Sequence, residues 1–287
     1  MLAKANLSRS DSATVLDISM EKNIDALHTA LAAGASVFYA DHHRSGEIPE
    51  HVALEAHINT APNTCTGLIV DDYLKSQNKP SFTEWAIVAA YGDNIIHVAD
   101  EYCKQAGLTS EQQALLRQLG TAMNYNGYGS DEADLYYTPA DLFKVAVKYS
   151  TPFDFIDGEP EVFKTLTEGY VEDMAKGLSI QPDRADEHVA MITLPNEAWA
   201  RRVSGVLGNE LANQYPGRAH AILTEIPGKA DHYQASIRAP KANPYGAGAI
   251  AIQFGGGGRE NAAGISKIDK ASVEHFWHIL KDTYGSS

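Results

Sequence analysis

The sequence predicts an α/β protein: a parallel-sheet domain, a helical connector and a smaller mixed α/β domain. Three observations point there. Thr14 to Asp17, Met20 to Ala33 and Ser36 to Asp41 read as strand, helix and strand, together about 30 residues, the size of a βαβ unit. The long middle stretch carries apolar residues at helical spacing, and beyond Gln181-Pro182-Asp183-Arg184 strand-like and helical segments alternate. At 287 residues the chain can hold two cores of ordinary size.

Each element has its own signal. Thr14-Val15-Leu16 is a short β-rich run ending on Asp17. Met20 to Ala33 places Ile24, Leu27 and Leu31 on one helical face, with Gly34 as the stop. Ser36 to Ala40 is a second β-rich run ending on Asp41. A right-handed crossover makes the two strands parallel, so Asp17 and Asp41 emerge at the same sheet edge, where open α/β sheets bind ligands. A short strand follows over Ala56 to Thr60, then helices over Thr66 to Lys75, Glu84 to Tyr91, Ile95 to Gln105 and Ser110 to Met123. Asn124 to Glu132 is a loop by composition. Thr138-Pro139-Ala140-Asp141 opens a helix with threonine as cap and proline in the first turn. Pro160 to Leu178 is an amphipathic helix. Strands are expected at His188 to Thr193, Ala219 to Glu225 and Tyr233 to Ile237, and helices at Glu197 to Leu211 and Ala271 to Tyr284. A strand-like run over Gly246 to Phe254 enters four glycines. The domains are placed at 1–130, 131–184 for the connector, and 185–287.

Composition narrows the function. A formal charge of −14, with no Lys/Arg-rich block, argues against a grip on long duplex nucleic acid. It leaves room for small phosphorylated ligands, because a bound divalent ion supplies local positive charge. No apolar run is of membrane-spanning length and no signal-peptide core is present, so a cytoplasmic protein without a membrane partner is expected. Cys65 and Cys103 read as reduced thiols; neither belongs to a zinc-binding pair.

Two motifs carry chemistry. Asp41-His42-His43 stands at a strand end, Asp17 lies one crossover away, and Gly92-Asp93 closes a later apolar segment. Carboxylates combined with imidazole suit manganese, iron or zinc, and a bound ion can activate water for phosphate-ester hydrolysis. The second motif runs from Phe254 through Gly255, Gly256, Gly257 and Gly258 to Arg259 and on to Ala262-Ala263-Gly264. Backbone N–H groups of glycines approach anions without steric hindrance, and Arg259 can fork onto phosphate oxygens.

These motifs, in this order and about 210 residues apart, resemble the DHH phosphoesterase superfamily with its DHH-associated C-terminal domain, over nearly the whole chain. Members include oligoribonucleases that also cleave phosphoadenosine phosphate, cyclic dinucleotide phosphodiesterases, single-strand exonucleases and exopolyphosphatases. The resemblance implies an active site in a cleft between the two domains, with one or two manganese ions, magnesium or cobalt being alternatives. It implies Asp17, His42 and Asp93 as metal ligands, His43 facing the scissile phosphate, and Asp41 orienting the histidines. Arg238, the four glycines and Arg259 would bind substrate. The expected partner is a small phosphorylated nucleotide or a short single-stranded oligonucleotide; a homodimer stays open.

Two departures matter. The family's first Asp-x-Asp motif is absent, Asp11 being the sole acidic residue before Asp17. The expectation is a missing N-terminal segment, a weak second metal site and impaired hydrolysis. Arg259 stands where the family usually has histidine, which changes the grip on substrate and leaves substrate identity open. The leading function is metal-dependent hydrolysis of phosphate esters in small nucleotides or short oligonucleotides. The alternatives are an impaired or inactive nucleotide-binding protein that keeps the fold, and an exopolyphosphatase. His97, His51, His57, Tyr136, Tyr137 and Cys65 are read as neighbours or packing residues.

Overall fold

A computed structural model describes residues 2–285. It contains a parallel three-stranded sheet, a second mixed sheet of six strands, and helices on both, so the α/β class holds. The chain divides into two compact units, one of residues 1–124 and 144–163, the other of residues 125–143 and 164–287. No helix of the described residues is long and apolar enough to cross a membrane.

In the first unit, strands β1 (Ser12–Leu16), β2 (Ser36–Asp41) and β3 (Leu54–Ile58) lie side by side in that order. Both pairings are parallel, Leu16 opposite Ala40 and Asp41 opposite Ile58. Helix α1 (Met20–Ala32) makes the crossover between β1 and β2. Its buried Met20, Leu27 and Leu31 pack with Val15, Val37 and Tyr39 of the strands. The parallel pairing carries the residues after β1 and β2 to one sheet edge, where the candidate site is found.

Helices α2 (Thr66–Ser76), α3 (Thr83–Gly92), α4 (Ile96–Gln105) and α5 (Ser110–Tyr125) follow. Their apolar faces make a second core around Leu68, Ile87, Tyr91, Leu116 and Leu119. Helix α6 (Pro139–Ala146) starts where the Thr-Pro signal places it, the Thr138 hydroxyl accepting from the Asp141 N–H at 3.2 Å. A short helix α7 (Pro152–Gly158), which the sequence reading passed over, begins in the same way: Thr151 caps the Asp154 N–H at 3.0 Å ahead of a proline. Helix α8 (Pro160–Ser179) completes the middle of the chain.

The second unit is built on strands β4 (Arg184–Ala185), β5 (Val189–Leu194), β6 (Ala219–Ile226), β7 (Lys229–Arg238), β8 (Gly257–Gly258) and β9 (Ala262–Asp269), in the order β4-β5-β6-β7-β9-β8. Only β5 and β6 are parallel, and the crossover between them is helix α9 (Ala198–Gln214). Strand β5 reads as an almost continuous apolar run because both its faces are covered. Val189 and Met191 join the core shared with helices α10 (Ala247–Gln253) and α11 (Val273–Tyr284), while Ile192 and Leu194 pack with Val203 and Leu207 of α9. The segment before the glycines is thus a helix, not a strand. Ile250 and Ile252 alternate as in a strand, but Ala247, Gly248, Ile250 and Ala251 are the buried set, which is helical spacing.

Two buried polar features stand out in this unit. Asp173 of α8 accepts from the Tyr125 and Tyr136 hydroxyls at 2.8 and 2.9 Å and from Arg202 Nε at 2.8 Å. Arg202 also donates to the Asp134 carbonyl and lies over the Tyr136 ring, 4.1 Å from its centroid. The other feature is His220 on β6, only 2 % exposed. Burial, helped by the Arg218 charge, pushes its imidazole down to about 4. The unfolded chain therefore takes up this proton first as pH falls. Stability of the unit should drop between roughly pH 6.5 and 4, by on the order of 3 kcal/mol for a fully coupled site. Urea midpoints across that window, for the native protein and His220→Phe, check this: the substitution should flatten the dependence, and an unchanged slope contradicts it.

Candidate metal centre

The ends of β1 and β2 place the first residues of the site. Asp17 follows β1 and keeps the parallel ladder, its N–H donating to the Ala40 carbonyl at 3.1 Å. Its φ of 59° turns the chain into the left-handed region, which aspartate and asparagine enter more readily than other side chains. Asp41 is the last residue of β2 and is fully buried, whereas His42 and His43 leave the sheet edge behind it.

His42 is the hub. Its Nε2 lies 3.4 Å from Asp17 Oδ1 and 3.8 Å from Asp93 Oδ2, the latter residue capping the end of α3. Its Nδ1 is 3.3 Å from the Thr64 carbonyl, a contact that leaves Nε2 facing the two carboxylates. His43 turns the other way: its Nδ1 meets Asp41 Oδ1 at 2.8 Å, and Asp41 Oδ2 is buried without a hydrogen-bond partner. So Asp41 orients His43, and the Thr64 carbonyl orients His42. Ligand atoms of Asp17, His42 and His43 all lie within 4.8 Å of one another.

Sequence reasoning missed Thr66, whose hydroxyl donates to Asp17 Oδ1 at 2.9 Å from the first turn of α2. The signal was Asn63-Thr64-Cys65-Thr66 opening a helix just after a strand of the same sheet. Burial raises the Asp93 carboxyl above its ordinary range and the Asp17 charge adds to this, against the opposing pull of His42 and His43. Burial likewise lifts the Cys65 thiol to about 11, so it is no nucleophile at neutral pH. His97 is exposed on α4, and His57 pairs with Glu55 at 3.0 Å.

The donor set of two carboxylates and an imidazole, with a further imidazole beside it, fits a divalent cation of the manganese, iron or zinc kind. Asp17 and Asp93 repel one another, and a cation between them would reverse that.

The glycine run divides into two roles. Gly255, at φ 73°, closes α10: its N–H donates to the Ile252 carbonyl at 3.0 Å and that of Gly256 to the Ala251 carbonyl at 2.8 Å. This is a Schellman cap, and it uses the first two glycine amides inside the fold. A Cβ on Gly256 would meet the Gly264 carbonyl oxygen at 2.2 Å, so the close packing against β9 demands glycine. Gly257 and Gly258 form β8 and are exposed, as is Arg259 in the turn to β9. Arg238 sits at the end of β7 in the same unit, opposite Ala262.

No family model matches the chain, and no curated protein matches its sequence. Solved structures do. An exonuclease RecJ bound to manganese aligns with 99% of this chain and 78% of its own, at 15% identity and a TM-score of 0.56. The chain is similar in fold to RecJ. The RecJ of Thermus thermophilus, in complex with Mn2+, gives 14% identity and a TM-score of 0.51 over 96% of this chain, which spans 45% of that longer protein. A pGpG-specific phosphodiesterase, PggH from Vibrio cholerae, gives 10% identity and a TM-score of 0.51, covering 96% of this chain and 98% of that one. At these identities the RecJ likeness establishes the fold.

Proposed function

We propose that this chain is a DHH-type phosphoesterase that hydrolyses phosphate esters in small nucleotides or short oligonucleotides with a divalent cation. The observation that carries the reading is the convergence of Asp17 and Asp93 on His42 Nε2, with the Asp41–His43 pair beside them. The fold is shared with an exonuclease bound to manganese and with a pGpG-specific phosphodiesterase, which supports it.

Asp17, His42 and Asp93 would hold the ion, manganese first, with magnesium or cobalt as alternatives. When bound, such an ion acidifies water and offsets charge on the attacking and leaving oxygens. The rest falls to the protein. Thr66 fixes the Asp17 carboxylate, and the Thr64 carbonyl fixes the ring plane of His42. Asp41 accepts from His43 Nδ1–H, which leaves Nε2 turned to a phosphoryl or leaving-group oxygen, to which it donates in the doubly protonated form of the ring. In the second unit Arg238, Arg259 and the exposed Gly257 and Gly258 would be the groups for holding a phosphate.

A second reading, nucleotide binding without turnover, is favoured by Asp11: its carboxylate accepts from the Ser8 N–H and hydroxyl, each at 2.7 Å, and is spent locally. An assay with manganese on 5′-phosphorylated dinucleotides, phosphoadenosine phosphate, cyclic dinucleotides and polyphosphate separates the readings. Turnover of a nucleotide substrate that EDTA stops is expected. Binding without hydrolysis supports the second reading, and a response to polyphosphate alone overturns the nucleotide assignment.

A further inference from the structure

Arg238 is held in a way its place on a strand end does not require. Its Nε donates to Asn209 Oδ1 at 2.6 Å, Nη1 to the Ser236 hydroxyl at 3.0 Å and the Ile237 carbonyl at 3.1 Å, and Nη2 to the Gly205 carbonyl at 3.0 Å. All four acceptors are uncharged. Among the described residues no ion pair involves Arg238. Arg201 and Arg202 of α9, by contrast, both pair with carboxylates, Asp134 and Asp173.

The holder is one face of α9. Gly205, Gly208 and Asn209 lie at spacings of three and four residues, which share a helix face. A Cβ on Gly208 would sit 3.2 Å from Arg238 Cγ, so the missing side chain leaves the channel in which the arginine stem lies. Asn209 closes that channel with a neutral acceptor. A carboxylate there would bind Nε more strongly and would also cancel the charge. An asparagine fixes the geometry and leaves the positive charge for something else.

We propose that Asn209 is a positioning residue that holds the Arg238 guanidinium in place, its charge uncompensated, for a phosphate of the substrate. This rests on the phosphate-ester reading. A preset guanidinium gives up less rotamer freedom on binding, and with four of its five N–H groups held by the protein, the remaining Nη2 N–H and the whole positive charge are left for a phosphate oxygen. A purely structural clip between α9 and β7 would work as well with aspartate as with asparagine, and the test uses that difference.

The full-length protein is titrated with inorganic pyrophosphate in EDTA, as native protein and as Arg238→Ala, Asn209→Ala and Asn209→Asp. The native protein is expected to bind and Arg238→Ala to lose binding. Asn209→Ala should weaken it about tenfold. Asn209→Asp should weaken it at least as much with its melting temperature kept or raised. Under manganese, Asn209→Ala should raise KM for a 5′-phosphorylated dinucleotide with kcat within about twofold, and should add nothing in an Arg238→Ala background. Pyrophosphate binding by Asn209→Asp equal to native overturns the proposal, as does native binding that Arg238→Ala leaves intact or the absence of native binding. If pyrophosphate behaves as expected but no ester is cleaved, the catalytic reading fails and the anion site stands.

Discussion

His42→Ala is expected to lower manganese-dependent hydrolysis by about a thousandfold or more, with little change in melting temperature. The expectation follows from where the ring nitrogens point. Nε2 lies near both Asp17 and Asp93, at 3.4 and 3.8 Å, so its loss removes the ring nitrogen that the two carboxylates share. An ion that binds weakly or in the wrong place cannot activate water at neutral pH. The fold asks little of His42: its Nδ1 makes a single long contact with a loop carbonyl, and the ring adds little to the core. Initial rates across a manganese titration distinguish weakened binding, which excess ion restores, from lost chemistry, which it does not. Unchanged turnover in the variant would sink the assignment.

The largest effect on stability is expected at Asp173. Its carboxylate is 1 % exposed, and one oxygen takes Tyr125, Tyr136 and Arg202 together. Asp173→Ala leaves Arg202, 8 % exposed, without its counter-charge, and the hydroxyls of buried Tyr125 and half-buried Tyr136 without this acceptor. Breaking one side of a buried ion pair costs about 3–5 kcal/mol, far above the value of an exposed pair. Asp173→Asn keeps the shape and one acceptor, so a smaller loss is expected. Guanidinium chloride unfolding followed by circular dichroism measures both. A loss below about 1 kcal/mol for the alanine variant would show that the charge is satisfied by other groups.

Much of the first unit was legible because its informative residues fall where local signals end. Asp17 and Asp41 each terminate a β-rich run, and parallel pairing follows from the helix between them. Asp93 stands where the α3 pattern stops. Thr66 left only a weak trace, the Thr-Cys-Thr run that opens α2, since its bond to Asp17 joins segments 49 residues apart. The helix before the glycines was misread because Ile250 and Ile252 imitate strand alternation, while its Schellman cap involves only backbone atoms. The α7 start was legible and passed over, since Thr151-Pro152 repeats the Thr138-Pro139 signal. Strands β4 and β8, two residues each, are too short for any period to show. Asn209 reads as an ordinary polar helix residue until its arginine is seen.

The left-handed turn at Asp17 has a consequence for how such a protein could change over generations. Most side chains are strained in that conformation, so drift at this position is channelled toward asparagine or glycine. Asparagine keeps the turn and still accepts from Thr66, while it removes one of the negative charges at the sheet edge. On the proposed phosphoesterase reading, a single conservative replacement would silence the chemistry and leave the rest of the molecule intact. If the proposed activity holds, the backbone that presents the carboxylate also offers the shortest route from an enzyme to a binding protein.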